Sequence, residues 1–428
     1  MVLTSFPRPV VATAILSLAL VLRLLAAWAI PLGNGTSDPN CAPDELDHFR
    51  VTRALAAGRA ARWPEETSSV YANFPPIQYA VQATVLATGD VLGIDGSRLQ
   101  RFPSVDPEAR GHLLARLGSV LLGTLAVAVI MFATGRWTGS RRAAAVGGLV
   151  TALYPQAIFL SAYVNADAWT FLADALLCAA VARWARGGEG ETGLRSLGIA
   201  AGLVLTGKLS GWFLLPTTAV WLLWAVVQHR ARLIAAVRVA LIALLVGVPA
   251  LLWNGLRRGG DPLGLAGYRR WLEQHDAVMA TAGERAHPWF DFALWLGKSA
   301  VAQFGNMHLS LPVPFYVVAL GLLLTGLAMT RPGVREARPL VLRGALWLAA
   351  SFALNLGLVA WNSWFVDFSP QGRYVLLMLI LTTVLAAWGP AWRRRPGRLQ
   401  YWPAVYVGFL AVAAVATEVL LLVSPCRP

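Results

Sequence analysis

Charge is scarce in this chain. Only 14% of its 428 residues are Asp, Glu, Lys or Arg, against about 25% in a soluble globular domain. Lysine is nearly absent: Lys208 and Lys298 stand against 34 arginines. The three cysteines, Cys41, Cys178 and Cys426, show no CxxC or other metal-ligand spacing. No internal repeat and no separate soluble module is visible. These deficits exclude a water-soluble multidomain protein, a disordered chain and a disulfide-stapled fold. The formal net charge of +14 does not point to nucleic acid, because the arginines fall in small groups between apolar runs. What is abundant is apolar surface, at 57% of residues. The composition is that of an all-α polytopic membrane protein, with the lipid bilayer as its first partner.

About 20 apolar residues cross a hydrocarbon core as a helix. Clear candidates are 10–30, 114–134, 143–163, 168–184, 233–253, 313–330, 343–360, 374–390 and 403–423. The first 33 residues resemble a signal peptide, but Val10–Ile30 is long enough to span and is retained here. The stretch 194–227 is interrupted by Gly207-Lys208-Leu209-Ser210-Gly211. Two crossings there place Arg136/141/142, Arg183/186/195, Arg230/232/238, Arg331/335/338/343 and Arg393/394/395/398 on the inner side, as the positive-inside bias requires. The expectation is about eleven transmembrane helices in a single domain over 1–428, N-terminus inside and C-terminus outside. Two large loops, 31–113 and 254–312, then lie on the outer face. Cys41 and Cys426 also fall there, compatible with either a disulfide or two free thiols. Asn34-Gly35-Thr36 is a formal sequon and carries little weight.

Polar groups are costly in a membrane protein, so their clustering is informative. Four clusters share the outer side. In Pro43-Asp44-Glu45-Leu46-Asp47-His48, helical spacing puts Asp44, Asp47 and His48 on one face with Glu45 beside His48. Pro-Asp-Glu is also an ordinary helix start. Asn165-Ala166-Asp167 occupies a short turn, where Asn is equally a good N-cap. Lys208 sits at the helix break, as a site-lining or a snorkelling residue. Gln371-Gly372-Arg373-Tyr374 opens the tenth span, and Arg373 is suited to gripping a lipid phosphate or to anchoring at the interface. Arg23 and Asp174 fall inside spans and could pair; Glu418 has no evident role. The tryptophans cluster near span ends, as an aromatic belt does.

An acidic pair after the first span (Asp44-Glu45), a Pro-Pro-aromatic segment (Phe74-Pro75-Pro76-Ile77-Gln78-Tyr79) and an Asn-x-Asp turn resemble the GT-C superfamily of integral-membrane glycosyltransferases. That superfamily includes the protein O-mannosyltransferases and the aminoarabinose transferases. Pro43–His48, Asn165–Asp167, Gln303-Phe304-Gly305 and Gln371–Tyr374 more closely resemble the bacterial membrane family catalogued as domain of unknown function 2142. Asn306 and Met307 depart from it. The resemblance implies a GT-C-like fold in a bacterial inner membrane, a sugar donor carried on polyprenyl phosphate, and a glycan, lipid or protein acceptor on the outer face. It also implies that an acid of the first outer loop, Asp44 with Glu45 beside it, is the catalytic base or binds a metal.

The chemistry asks for the same residue types. Breaking a sugar C1–O–phosphate bond needs a base for the incoming hydroxyl and positive charge on the departing phosphate. Asp44 is the expected base of an inverting transfer, with Glu45 the second catalytic candidate. Glu45, His48 and Asp167 would position the base or the acceptor hydroxyls, Lys208 and Arg373 would hold the lipid phosphate, and Asp47, Asn165, Gln371 and Tyr374 are further substrate-binding candidates. No cofactor is required; a divalent cation, if present, would sit on Asp44, Glu45 and Asp167. The rival classes are a lipid-linked glycan flippase or transporter, which would favour mid-membrane charges and related halves, and a non-catalytic envelope scaffold.

Overall fold

A computed structural model of the chain describes residues 6–31, 42, 44–59, 70–94, 96, 110–185, 191–228, 233–274, 286–304, 309–330, 338–366, 368–389 and 400–423. Cys41, Cys426, Pro43, the sequon, Gly305–Met307 and many of the arginines expected on the inner side lie outside the described residues. Sixteen α-helices occur among those described: α1 (Pro9–Ala29), α2 (Glu45–Ala56), α3 (Ala80–Val91), α4 (His112–Thr138), α5 (Arg141–Leu153), α6 (Pro155–Leu160), α7 (Asp167–Ala185) and α8 (Glu191–Leu205). They continue with α9 (Leu214–Val227), α10 (Leu233–Arg257), α11 (Leu265–Gln274), α12 (Pro288–Val301), α13 (Val313–Met329), α14 (Arg338–Phe365), α15 (Leu376–Trp388) and α16 (Trp402–Val423). A two-residue antiparallel pair, β1 (Gln303–Phe304) and β2 (Leu309–Ser310), is the strand content of these residues. The fold is all-α. Seven of the helices are long and apolar enough to cross a membrane, and Thr192–Leu205, Val313–Met329 and Gly372–Trp388 are apolar but shorter.

The run expected as one span over 143–163 is two helices. Pro155 has no N–H to donate and its ring opposes the preceding turn. Tyr154 is extended (φ −71, ψ 115), and Pro155 restarts the chain as the first residue of α6. The buried, non-helical residues that follow α6 then carry Asn165 to the start of α7.

The stretch 194–227 breaks where expected. Lys208 is extended (ψ 149) and Leu209–Gly211 forms a 3-10 turn between α8 and α9. Gly198 faces Ile242, Gly202 faces Val246, and Leu205 faces Gly247. Residue numbers rise together on both helices, so α8 and α10 run parallel and α9 must return between them. Glycines four apart on α8 let the two backbones approach closely, as small residues do between membrane helices.

The 27-residue α4 is the central post, packed by α1, α3, α5 and α7. Its first residues meet α2, so Arg136 in its last turn, Arg141 and Arg142 at the start of α5, and Arg183 near the end of α7 gather at the opposite end. The long loop after α1 folds into α2, 3-10 turns at Val70–Asn73 and Pro76–Tyr79, and α3. The loop after α10 supplies α11 and α12. Asn254 on α10 donates to the Asn73 carbonyl and Arg258 to that of Ala72, which pins one loop onto the other.

Arg23 does not pair with Asp174. Its guanidinium is fully buried and donates to the carbonyls of Ala19, Thr151 and Ala152. The carboxylate it feels is Glu418 on α16, which gives that residue a counter-charge.

Candidate active site

Asp44 precedes α2 with φ 59 and ψ 12, and no other non-glycine among the described residues has positive φ. Asp tolerates this left-handed geometry better than most residues. At an N-cap an Asp side chain normally accepts from its own helix; here no such bond forms. Instead Asp44 Oδ2 accepts from the Tyr71 hydroxyl at 2.8 Å. A strained residue whose carboxylate is turned away from its helix is a common mark of a functional position.

Glu45 faces the other way, which corrects its assignment as a catalytic acid. It is 2% exposed. Oε1 accepts from Arg116 Nε and the Val164 N–H, both at 2.8 Å, and lies 2.8 Å from His112 Nε2; Oε2 accepts from Arg116 at 2.5 Å. Arg116 also donates at 2.6 Å to the carbonyls of Ala27 and Ile30. Burial alone would raise the Glu45 carboxyl, but Arg116 and His112 outweigh it and its pKa falls to about 2. Both oxygens are consumed in holding α1, α2 and α4 together.

His48 is buried beside the site. Its ring stacks on Tyr71 at 3.8 Å, and Nδ1 is 2.6 Å from the Tyr79 hydroxyl. Burial, with help from Lys208, lowers its pKa to about 3, so the imidazole is neutral near pH 7. Asp44, Lys208, Asp167 and Arg373 all lie within electrostatic reach of it. Burial also raises the Tyr71 and Tyr79 hydroxyls well above the usual range, so both stay protonated. Asp47 is at the rim, 3.4 Å from Arg50, its carboxyl pushed up by burial and by Asp44.

Asn165 is a turn residue, which corrects its assignment to substrate. Its Nδ2 donates to Leu160 and Tyr163 carbonyls, and Oδ1 accepts from the Ala168 N–H at 2.9 Å. The amide is spent on starting α7. That start puts Asp167 at the first helical position, buried between two cations. Lys208 Nζ is 2.9 Å from Oδ1, and an Arg373 guanidinium nitrogen is 3.8 Å from Oδ2. The Lys208 backbone N–H donates to Thr170 Oγ1. Gly207 and Gly211 press against Thr170 and Asp174, where a larger residue would collide. The break thus lies directly on α7.

Arg373 reaches the same place from the 3-10 turn before α15. Its guanidinium lies 5.3 Å from the Tyr374 ring. Gly372 fits against the backbone of Ser299 and Ala300, and its N–H donates to Ser299 Oγ. Gln371 bonds to Ser369 within its own turn at 2.8 Å and does not line the cavity. A cavity of about 30 Å³ runs from Asp167, Arg373 and Tyr374 past Thr170, Ser210 and Asp174 to an apolar floor that includes Phe171 and Phe213.

The residues do not fit the expected three-carboxylate metal site. Glu45 is committed to Arg116, and Asp167 to Lys208 and Arg373. Among the described residues no group of three His, Cys, Asp or Glu could hold an ion. Tyr71, His112 and Arg116 belong to the site or its frame and were not singled out in the sequence, and Tyr79 entered there only as the end of the Pro-Pro-aromatic segment. Nothing in the spacing of Tyr71 or Tyr79 signals contact with residues 27 and 31 positions earlier.

Residues 110–253 match a family model described as dolichyl-phosphate-mannose-protein mannosyltransferase. Comparison with curated proteins gives no match. The chain is similar to the solved structure of ArnT from Cupriavidus metallidurans in the apo state, at 16% identity and a TM-score of 0.53, over 96% of this chain and 71% of that one. The same ArnT bound to undecaprenyl phosphate aligns at 15% identity and 0.52, over 96% and 76%. The archaeal oligosaccharyltransferase AglB from Archaeoglobus fulgidus, in complex with an inhibitory peptide and a dolichol-phosphate, aligns at 13% and 0.51, over 96% of this chain and 55% of its own length. At these identities the likeness is one of architecture, and the architecture of this chain is the GT-C fold.

Proposed function

We propose that this protein is a glycosyltransferase that moves a sugar from a polyprenyl-phosphate donor to an acceptor on the outer face of a bacterial inner membrane, and that it belongs with the branch catalogued as domain of unknown function 2142. The observation that carries the reading is the convergence on His48. A strained, tyrosine-held carboxylate (Asp44), the cation at the helix break (Lys208) and the cation of the turn before α15 (Arg373) all lie within electrostatic reach of that ring. The matched family is described by a dolichyl-phosphate-linked sugar, and one similar structure holds undecaprenyl phosphate; both support a lipid-phosphate donor.

Asp44 accepts the proton of an acceptor hydroxyl as that oxygen attacks C1 of the sugar. The C1–O bond to phosphate breaks on the opposite face, its electron pair remains on the phosphate, and the anomeric centre inverts. Lys208 and Arg373 stabilise the charge that grows there. Tyr71 holds the Asp44 carboxylate in place, and Asp47 and neutral His48 offer hydrogen-bonding groups to the acceptor. Tyr374 covers the guanidinium of Arg373. The acceptor is a glycan, lipid or protein.

The test uses the purified chain in nanodiscs with undecaprenyl phosphate. Wild type should bind the lipid, Arg373→Ala should bind it at least about tenfold more weakly, and Asp44→Asn should bind it normally while transferring no sugar. Normal transfer by Asp44→Asn sinks the assignment of the base.

A further inference from the structure

Asp167 is set between the two cations that the proposed function gives to the donor headgroup. Its side chain is 9% exposed, with Lys208 Nζ 2.9 Å from one oxygen and Arg373 3.8 Å from the other. Two cations and one carboxylate leave one net positive charge in the seat. Asp174 lies about 10 Å further along α7 by helical rise; it brings no cation, and any charge on it would subtract further.

We infer that Asp167 is a counter-ion that matches the seat to a singly charged phosphodiester and drives off the doubly charged phosphomonoester that transfer leaves behind. The inference rests on the proposed reading of Lys208 and Arg373 as the headgroup seat. A lipid phosphodiester carries one negative charge, which neutralises the seat. When the C1–O bond breaks, the pair of electrons stays on the phosphate and the acceptor proton goes to Asp44. The product is a monoester whose second ionisation lies near pH 6. Above that pH it carries two charges, and once Asp44 has released the acceptor proton to solvent, seat plus product hold one surplus negative charge in a buried, weakly screened place. The titratable and charged groups around Asp167 are Lys208, Arg373, His48, Tyr79 and Tyr163. His48 is neutral down to about pH 3, and Tyr79 stays protonated, so neither supplies the missing cation. Asp167 therefore acts as a positioning residue for charge: it weakens the product more than the donor.

The experiment measures binding of undecaprenyl phosphate and of its methyl phosphodiester to the full chain in nanodiscs, from pH 5 to 8. Wild type should hold the diester equally across the range and lose the monoester as pH rises through about 6. Asp167→Asn should hold the monoester about tenfold more tightly than wild type at pH 8 and lose that pH dependence. In turnover it should lower KM and kcat together, because release of product becomes slow. Asp167→Glu should behave as wild type. Lys208→Gln should move selectivity the opposite way, toward the diester, and serves if Asp167→Asn does not fold. Inorganic phosphate at equal concentration should displace neither lipid; displacement overturns the headgroup assignment. If wild type binds neither lipid, the donor reading itself fails. If both lipids bind and Asp167→Asn leaves the pH dependence and the diester-to-monoester ratio unchanged, only the counter-ion inference fails.

Discussion

Asp44 and Glu45 are adjacent in the chain and face opposite ways: one accepts from Tyr71, the other from Arg116, at 2.8 Å in each case. The left-handed backbone at Asp44 accounts for the divergence. It turns one carboxylate to Tyr71 and commits its neighbour to the frame.

Glu45→Gln should therefore damage folding more than transfer. Removing one partner of a buried, hydrogen-bonded ion pair costs about 3 kcal/mol or more. A clear fall in unfolding temperature is expected, with turnover per folded molecule largely kept. An unchanged unfolding temperature together with lost turnover would return Glu45 to the catalytic set.

Acid should unfold the protein in two stages. The ordinary pKa of His48 is 6.5, and it is lowered to about 3 in the fold. That of Glu45 is 4.5, lowered to about 2. Both groups bind fewer protons folded than unfolded, so their contributions are complete above the unfolded values and lost as pH falls through the window. Stability should begin to drop below about pH 6.5 through His48 and fall more steeply below 4.5 through Glu45. Denaturant midpoints measured from pH 7 to pH 3 check this, and Glu45→Gln should flatten the lower stage.

Tyr71→Phe removes one donor to Asp44 and leaves the stacked ring on His48. A hydrogen bond to a charged group is worth about 1.5–3 kcal/mol, so transfer should fall by roughly tenfold or more, with lipid binding unchanged. Equal activity in the variant would show that Asp44 is held by other means.

Gly372→Ala places a methyl group on the backbone of Ala300, which has no room to move aside. The turn must shift, carrying Arg373 with it. Overpacking of this kind costs about 1–3 kcal/mol, and lipid-phosphate affinity should fall alongside the unfolding temperature. Unchanged affinity and unfolding temperature in Gly372→Ala would show that the turn has room for a methyl group there.

Much of the helical frame is legible in the apolar runs, and the break at Lys208 is legible in its flanking glycines. Counting crossings gives the expectation that Asp44, Asp167, Lys208 and Arg373 share one side, and ion pairs join Asp167 to both Lys208 and Arg373. What the runs do not carry is local backbone geometry. Pro155 splits a span that hydropathy reads as continuous. No pattern distinguishes Asp44 from Glu45 before the positive φ is known, and Asn165 looks like a ligand until its amide is found spent on the α7 start. Tyr71 and Tyr79 reach the site through loop folding, which hydrophobic periodicity does not encode.

Arg116 never approaches the cavity, yet it governs a length there. One guanidinium grips the end of α1, the first residue of α2 and, through Glu45, the segment leading into Asp167. It works as a strut between the loop bearing the acid and the helix facing the cations. A mutation on the middle helix, outside the cavity lining, would thus shift the loop bearing Asp44 against the helix bearing Asp167.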